Sequence, residues 1–189
     1  MAIWFERSKN INFTGNIFRW NYGQAVNLRC CNNVNVSCNV IENNPAYGIY
    51  LDKTNHSTLS TNSISYVCDG IFLNQSNNNY ITSNVIFLTG PHGLYLNCSK
   101  ANVIERNILM KNEIALQLWC SHNNIIVKNN LSKNKFGLLL WYSSENFLDS
   151  NLLDNNTWNL GVHGFHLKDF INEITSSNIV DGFCVQYWV

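Results

Sequence analysis

Apolar residues in this chain come in short alternating runs rather than long stretches. In Gly93 to Asn112, GLYLNCSKANVIERNILMKN, Leu94 and Leu96 flank Tyr95, Ile104 follows Val103 and Leu109 follows Ile108. Polar positions at Ser99, Asn102, Asn107 and Asn112 separate them. Runs of two to five residues with a period of two suit strands and are too short for helices. The same phrase recurs along the chain and generates four apolar columns. One reads Val26, Ile49, Ile71, Leu94, Leu116, Leu138 and Phe165, and its neighbour Leu28, Leu51, Leu73, Leu96, Leu118, Leu140 and Leu167. The others read Phe13, Val36, Leu59, Ile81, Ile104, Ile126 and Leu148, and Phe18, Ile41, Ile64, Ile86, Leu109, Leu131 and Leu153.

Polar positions keep the same period. Asn precedes the third run at Asn16, Asn39, Asn62, Asn84, Asn107, Asn129, Asn151 and Asn178, giving steps of 23, 23, 22, 23, 22, 22 and 27. A second register reads Asn10, Asn33, His56, Asn79, Asn102, Asn124, Asn146 and Asn172. A third reads Cys31, Thr54, Ser76, Ser99, Ser121 and Ser143. Three short strands per repeat of 22–23 residues predict an all-β solenoid, a single-stranded right-handed parallel β-helix of about eight coils, forming one domain over 1–189 or part of a longer array. Each strand then pairs with its equivalent one coil away, about 4.8 Å along the axis.

Asn is expected at these turns because it tolerates the left-handed conformation and because its amide can donate and accept along a stacked ladder. Gly48, Gly70, Gly93, Gly137 and Gly164 recur just before the first run, where a tight turn would use the same freedom. The long step before Asn178 predicts a loop of four or five extra residues at Thr157 to His163, TWNLGVH.

Composition narrows the function classes. Charged residues make up 13% of the chain, about half the usual share, and twelve basic side chains balance twelve acidic ones. Neither nucleic acid nor an anionic membrane is expected as a partner. No apolar run is long enough for a membrane span, and the first residues, MAIWFERSKN, lack the organisation of a secretory leader. Seven cysteines without a CxxC pair predict no disulfide framework.

The repeated G-[I/L]-x-L, then Ser, then N-x-I twice, as in Gly93-Leu94-Tyr95-Leu96, Ser99, Asn102 and Asn107, resembles the right-handed β-helix repeats of NosD-type proteins. These fall within the wider group of carbohydrate-binding proteins and sugar hydrolases with pectin lyase-like coils. The resemblance covers nearly the whole chain. It implies a carbohydrate-related role and an extracytoplasmic location, while the residues themselves leave the compartment open.

Alternation along the first strand predicts an outward column of Asn27, Tyr50, Phe72, Tyr95, Gln117, Leu139 and His166, beside Arg29, Asp52, Asn74, Asn97, Trp119, Trp141 and Lys168. Aromatic faces on a flat sheet are what sugar rings stack upon. Tyr50, Phe72, Tyr95, Trp119 and Trp141 are therefore the candidate binding residues of a non-catalytic module. The same stripe suits packing against a protein partner, and the coil ends or sides suit self-association.

The alternatives are a polysaccharide lyase, hydrolase or epimerase, and a purely structural rod. For catalysis, Glu105 and Asp149 fall two coils apart in one column, about 10 Å, near the separation of an inverting acid pair, with Val127 between them. His163 and His166, and Cys98 stacked on Cys120, are the residues with metal-ligand chemistry. Neither pair makes a complete site, and no cofactor is expected.

Overall fold

The computed structural model describes residues 2–188. Eight strands stack in parallel as a first sheet: Ile3–Glu6, Val26–Arg29, Ile49–Asp52, Ile71–Asn74, His92–Asn97, Ile114–Trp119, Phe136–Trp141 and Trp158–His163. A second sheet of eight runs from Lys9–Thr14 to Glu173–Ile174. A third runs from Ile17–Arg19 to Ile108–Met110, then through a bridge at Asn130 to Leu152–Leu153 and Ile179–Val180. Each strand lies one coil from its partner, as in Ile71 with Leu94 and Leu94 with Leu116. The single antiparallel pairing among the described residues joins Ile179–Val180 to Phe183–Cys184.

The four apolar columns form one continuous core, in which Leu28, Ile49, Leu73, Ile104 and Leu109 are among the fully buried side chains. The final coil differs from expectation. Trp158–His163 is the eighth strand of the first sheet, so Leu160 and Val162 continue the columns from Leu138 and Leu140. Phe165 and Leu167 instead lie 82% and 75% exposed in the insertion that follows this strand and contains the 3-10 helix Leu167–Phe170. The extra residues therefore follow the strand rather than form it. The Asn-to-Asn step could not distinguish the two placements, because Phe165-His166-Leu167 carries the same alternation as Leu160-Gly161-Val162. Gly164 likewise follows the strand, and Asn159 stands where the glycine column would place it.

Inside the turns, the side-chain oxygen of each ladder Asn accepts two bonds from the coil before. Asn129 Oδ1 takes the Asn107 N–H at 2.9 Å and its Nδ2–H at 3.0 Å. Asn107 Oδ1 takes the same pair from Asn84, each at 3.0 Å. The hydroxyl register is a ladder too, with Ser76, Ser99 and Ser121 each donating a backbone N–H to the next hydroxyl at 3.0 Å.

The second Asn register holds from Asn79 through Asn172. Upstream, however, its places are taken by Ser57 and Val34. Asn10, Asn33 and His56 sit one residue earlier, in the left-handed conformation with φ of 57°, 55° and 53°. A fourth ladder, Thr89, Asn112, Asn134 and Asn156, closes the corner after the third sheet.

The left-handed residue of each turn is thus the neighbour of the ladder Asn. Before Asn39, Asn62, Asn84, Asn107, Asn129 and Asn151 stand Cys38, Thr61, Ser83, Arg106, Lys128 and Ser150, all with φ of 52–57°. Such residues adopt this region at a cost of about 1 kcal/mol each, which the ladder bonds offset. The glycines before the first strand have ordinary φ. Their need is space, because a Cβ on Gly48 would come within 2.5 Å of the Gly70 carbonyl and 2.8 Å of Ile64 Cγ2.

Candidate functional site

The glycine column sets up the outward face of the first sheet. At each glycine the strand turns a corner, so Gly93 and Leu94 both face inward while His92 and Tyr95 both face out. This adds a third outward column, Tyr47, Asp69, His92, Ile114, Phe136 and Trp158, beside the two expected ones. Strict alternation missed it because it would place Gly93, not His92, on the outside. The readable signal was the residue immediately before each Gly. His166 and Lys168 are not part of this face; Gly161 and His163 take those positions in the last strand.

Two aromatic clusters result. In the first, Tyr50 lies 5.1 Å from Phe72 between ring centroids, Phe72 stacks on Tyr95 at 4.8 Å, and Tyr47 packs against both Tyr50 and Phe72. His92 stacks on Tyr95 at 4.5 Å. In the second, Trp119 stacks on Trp141 at 5.4 Å and Trp141 on His163 at 4.8 Å, with Tyr142 edge-on to both tryptophans. The stripe is therefore interrupted between Tyr95 and Trp119, where Gln117 lies buried. The rings are half-buried on a sheet whose backbone is fixed on both sides.

His92 is the most constrained polar group of this face. Its Nδ1 lies 2.9 Å from Asp69 Oδ1, which also accepts the His92 backbone N–H, and its Nε2 lies 2.9 Å from Gln117 Oε1. Burial, reinforced by Asp69, pushes the phenols of Tyr47 and Tyr95 above their ordinary range. Burial reinforced by Asp52 does the same for Tyr50. All three stay protonated at neutral pH, able to donate to a hydroxyl oxygen and to accept from one. Beside them Asp52, Asn74 and Asn97 form an outer amide chain, with Asn97 Nδ2 donating to Asn74 at 2.8 Å and Asn74 to Asp52 at 2.9 Å.

The insertion builds a corner cleft of about 390 Å³ beside the second cluster, lined by Lys100, His122, Tyr142, Ser144, Glu145, Lys168 and Asp169 among others. His122 Nδ1 accepts the Ser144 N–H at 3.1 Å, and burial, then Lys100, holds its pKa below the usual imidazole value. Asp169 Oδ2 accepts the N–H groups of His166 and Phe165, both at 3.0 Å. These bonds, that of His166 foremost, lower its pKa, with the charges of His166 and Lys168 acting in the same sense. The stabilisation is complete above the ordinary carboxylate range and is lost as pH falls through the lower native value. Near-ultraviolet circular dichroism of the Tyr142–Phe165 contact should therefore change below about pH 4, and Asp169→Asn should remove that component. An identical acid titration in the variant would show that Asp169 does not hold the insertion.

The other expected site residues do not assemble into one site. Glu105 and Asp149 do share a column with Val127 between them. Each is engaged locally, Glu105 with Tyr80 and with Arg106 at 2.8 Å, and Asp149 with Thr175 at 2.8 Å and Ser177 at 2.7 Å. The hydroxyls of Ser177, Thr175 and Ser150 lower the Asp149 pKa, as suits a structural acceptor. His163 lies against Trp141, while His166 is exposed at the start of the 3-10 helix. No group of three or more His, Cys, Asp or Glu able to hold a metal occurs among the described residues. Nor is any helix among them long and apolar enough to cross a membrane.

Solved structures with the same coil include the periplasmic alginate epimerase AlgG, which overlays with a TM-score of 0.82 at 15% identity over 94% of this chain and 46% of its own. The A-module of the Azotobacter vinelandii mannuronan C-5 epimerase AlgE6 overlays with a TM-score of 0.74 at 11% identity, over 91% of this chain and 58% of its own. A complex of XylC with xylose gives 0.57 at 18% identity, over 65% of this chain and 21% of its own. The chain thus spans about half the length of the two epimerases. No curated protein matches it. The family model described as right handed beta helix region matches residues 1–157, and with the stacked sheets and ladders this places the chain in the right-handed β-helix family.

Proposed function

We propose that the outward face of the first sheet binds an extended glycan without turning it over, through Tyr50, Phe72 and Tyr95 in one cluster and Trp119 and Trp141 in the other. The observation that carries this reading is the pair of stacked ring clusters on one rigid sheet, flanked by the Asp52–Asn74–Asn97 chain. Ring faces supply apolar contact to the C–H side of a sugar, and amides and phenols supply its hydroxyl partners. The platform needs no ordering on binding, which removes a cost that flexible sites bear. The structural neighbours, two epimerases and a complex of XylC with xylose, support a saccharide over a protein partner for the same stripe. The NosD-type resemblance adds nothing to this choice, because the motif residues are consumed in stacking.

A second reading, epimerase activity, draws on one observation: Asp69 orients His92 beside Tyr95, an arrangement that could serve proton transfer at a sugar carbon. The lysines of this end of the molecule, Lys100 and Lys168, line the corner cleft instead of the His92 cluster, so binding leads over turnover.

Calorimetric titration with mannuronan and with neutral β-linked glucans and mannans tests both. Micromolar to millimolar binding is expected, weakened about 100-fold in the Trp119→Ala, Trp141→Ala double variant. Mannuronan binding that is not weakened in the folded double variant would remove the tryptophan cluster from the site. Appearance of C-5 epimer signals in the proton spectrum of the mannuronan, absent with His92→Gln, would establish the second reading instead.

A further inference from the structure

The corner after the third sheet holds a cleft of about 510 Å³ on a different face of the coil, lined by Trp20, Tyr22, Tyr66, Pro45 and asparagines 21, 43 and 44. Trp20, Asn43 and Tyr66 occupy one column in three successive coils, following the paired residues Arg19, Glu42 and Ser65. All three are left-handed, with φ of 58°, 55° and 52°. Trp20 and Tyr66 are therefore two coils apart, about 9.6 Å, with only the short Asn43 between them.

These aromatics are not part of the core. Trp20 is 74% exposed, Tyr66 54% and Tyr22 fully exposed, an unusual gathering of apolar surface around one cleft. With contact distances of about 3.5–4.0 Å on each side, this two-coil backbone spacing is wide enough to admit one ring, a puckered saturated one included. No charged side chain lines the cleft. Asn44 is fully used, accepting from Asn21 and donating to the Phe18 and Glu42 carbonyls. By contrast the Asn43 amide and Asn21 Oδ1 have no hydrogen-bond partner among the described residues, and both are free for a ligand.

We propose that this cleft is a second saccharide site, separate from the first-sheet face, that takes an uncharged pyranose ring between Trp20 and Tyr66, with Asn43 bonding its hydroxyls. Aromatic faces give the stacking, the amide gives direction, and the charge-free lining selects a neutral sugar over a uronate. The proposal stands on the cleft alone and does not require the first-sheet site.

The test is calorimetric titration of the full chain and its variants with cellohexaose, mannohexaose, an oligomannuronate and a proline-rich decapeptide. In the Trp119→Ala, Trp141→Ala background, where the first-sheet contribution is removed, one of the two neutral hexasaccharides should still bind, and adding Trp20→Ala or Tyr66→Ala should weaken that binding about tenfold. Asn43→Asp keeps a residue that tolerates the left-handed turn but removes the amide donors, and should weaken binding several-fold. Because Trp20 and Tyr66 are exposed, their variants should melt with the parent protein. Binding of neither neutral hexasaccharide, binding as tight with Trp20→Ala or Tyr66→Ala as without them, or preference for the oligomannuronate or the peptide in this cleft would each overturn the proposal.

Discussion

Asn107→Leu should lower the melting temperature by about 10–20 °C, whereas Asn97→Leu should lower it by no more than a few degrees. The two side chains have the same shape and lie ten residues apart, but they hold different amounts of buried polarity. Asn107 is fully buried. Its Oδ1 accepts the Asn84 N–H and Nδ2–H, and its Nδ2 donates to the carbonyls of Ile81 at 2.9 Å and Glu105 at 3.1 Å and to Asn129 Oδ1. Leucine is nearly isosteric and leaves those groups in place without partners. Each buried group so orphaned costs about 1–3 kcal/mol, and two or three of them together about 3–6 kcal/mol. At this chain length 1 kcal/mol corresponds to about 2–4 °C. Asn97 lies on the half-exposed outer face, where its donation to Asn74 Oδ1 and its weak acceptance from the Cys98 thiol at 3.7 Å can both be replaced by water. Thermal melts followed by far-ultraviolet circular dichroism read the difference directly; equal melting points would remove the ladder from its stabilising role.

The same contrast explains what could be read from the chain before its structure. The core columns are legible because Leu28, Leu51, Leu73 and Leu96 must return to one face every coil, and a one-residue slip would expose them all. The ladder at Asn39 through Asn178 is legible because its residue type is needed in every coil. The second register is legible only where Asn occupies it. In the early coils Val34 and Ser57 take the buried place, and the neighbouring Asn33 and His56 mimic it from the left-handed position. The final coil was misplaced because Phe165 and Leu167 imitate strand alternation, while the ties that hold the insertion, from Asp169 to two backbone N–H groups, leave no periodic trace.

Of the candidate site, Tyr50, Phe72, Tyr95, Trp119 and Trp141 were visible as outward positions. Their division into two clusters was not, since it depends on which rings stack and on Gln117 turning to His92. The Asp69–His92 pair was hidden by the corner at each glycine, which shifts the outward residue by one. The Trp20 cleft was hidden because it joins residues 20, 43 and 66 across three coils at a corner outside the strands.

Those glycine corners carry the second large effect. Gly70→Val should destabilise the protein by about 3 kcal/mol, a fall of about 6–12 °C, and should disturb the first-sheet face as well. A Cβ on Gly70 would stand well inside contact distance of the Gly93 carbonyl and close to Ile86 Cγ2, so the obstruction is backbone, which cannot rotate away. Relief requires moving one coil off the next, against the Gly70 N–H bond to the His92 carbonyl at 3.0 Å and the buried columns on both sides. At Gly93 the same atom would meet the Ala115 carbonyl at 2.7 Å and two movable side-chain ends at 3.0 Å, so Gly93→Ala should cost less than Gly70→Ala. Ala25 and Ala115 already carry a Cβ in this column, so a methyl is accommodated at some of its levels. Gly70 also lies between Asp69 and Ile71, so a coil displaced there pulls Asp69 from His92. Glycan affinity in Gly70→Ala should then fall further than its loss of folded population accounts for. A Gly70→Ala protein that melts within about 2 °C of the parent and binds glycan equally well would mean that backbone proximity does not set this column.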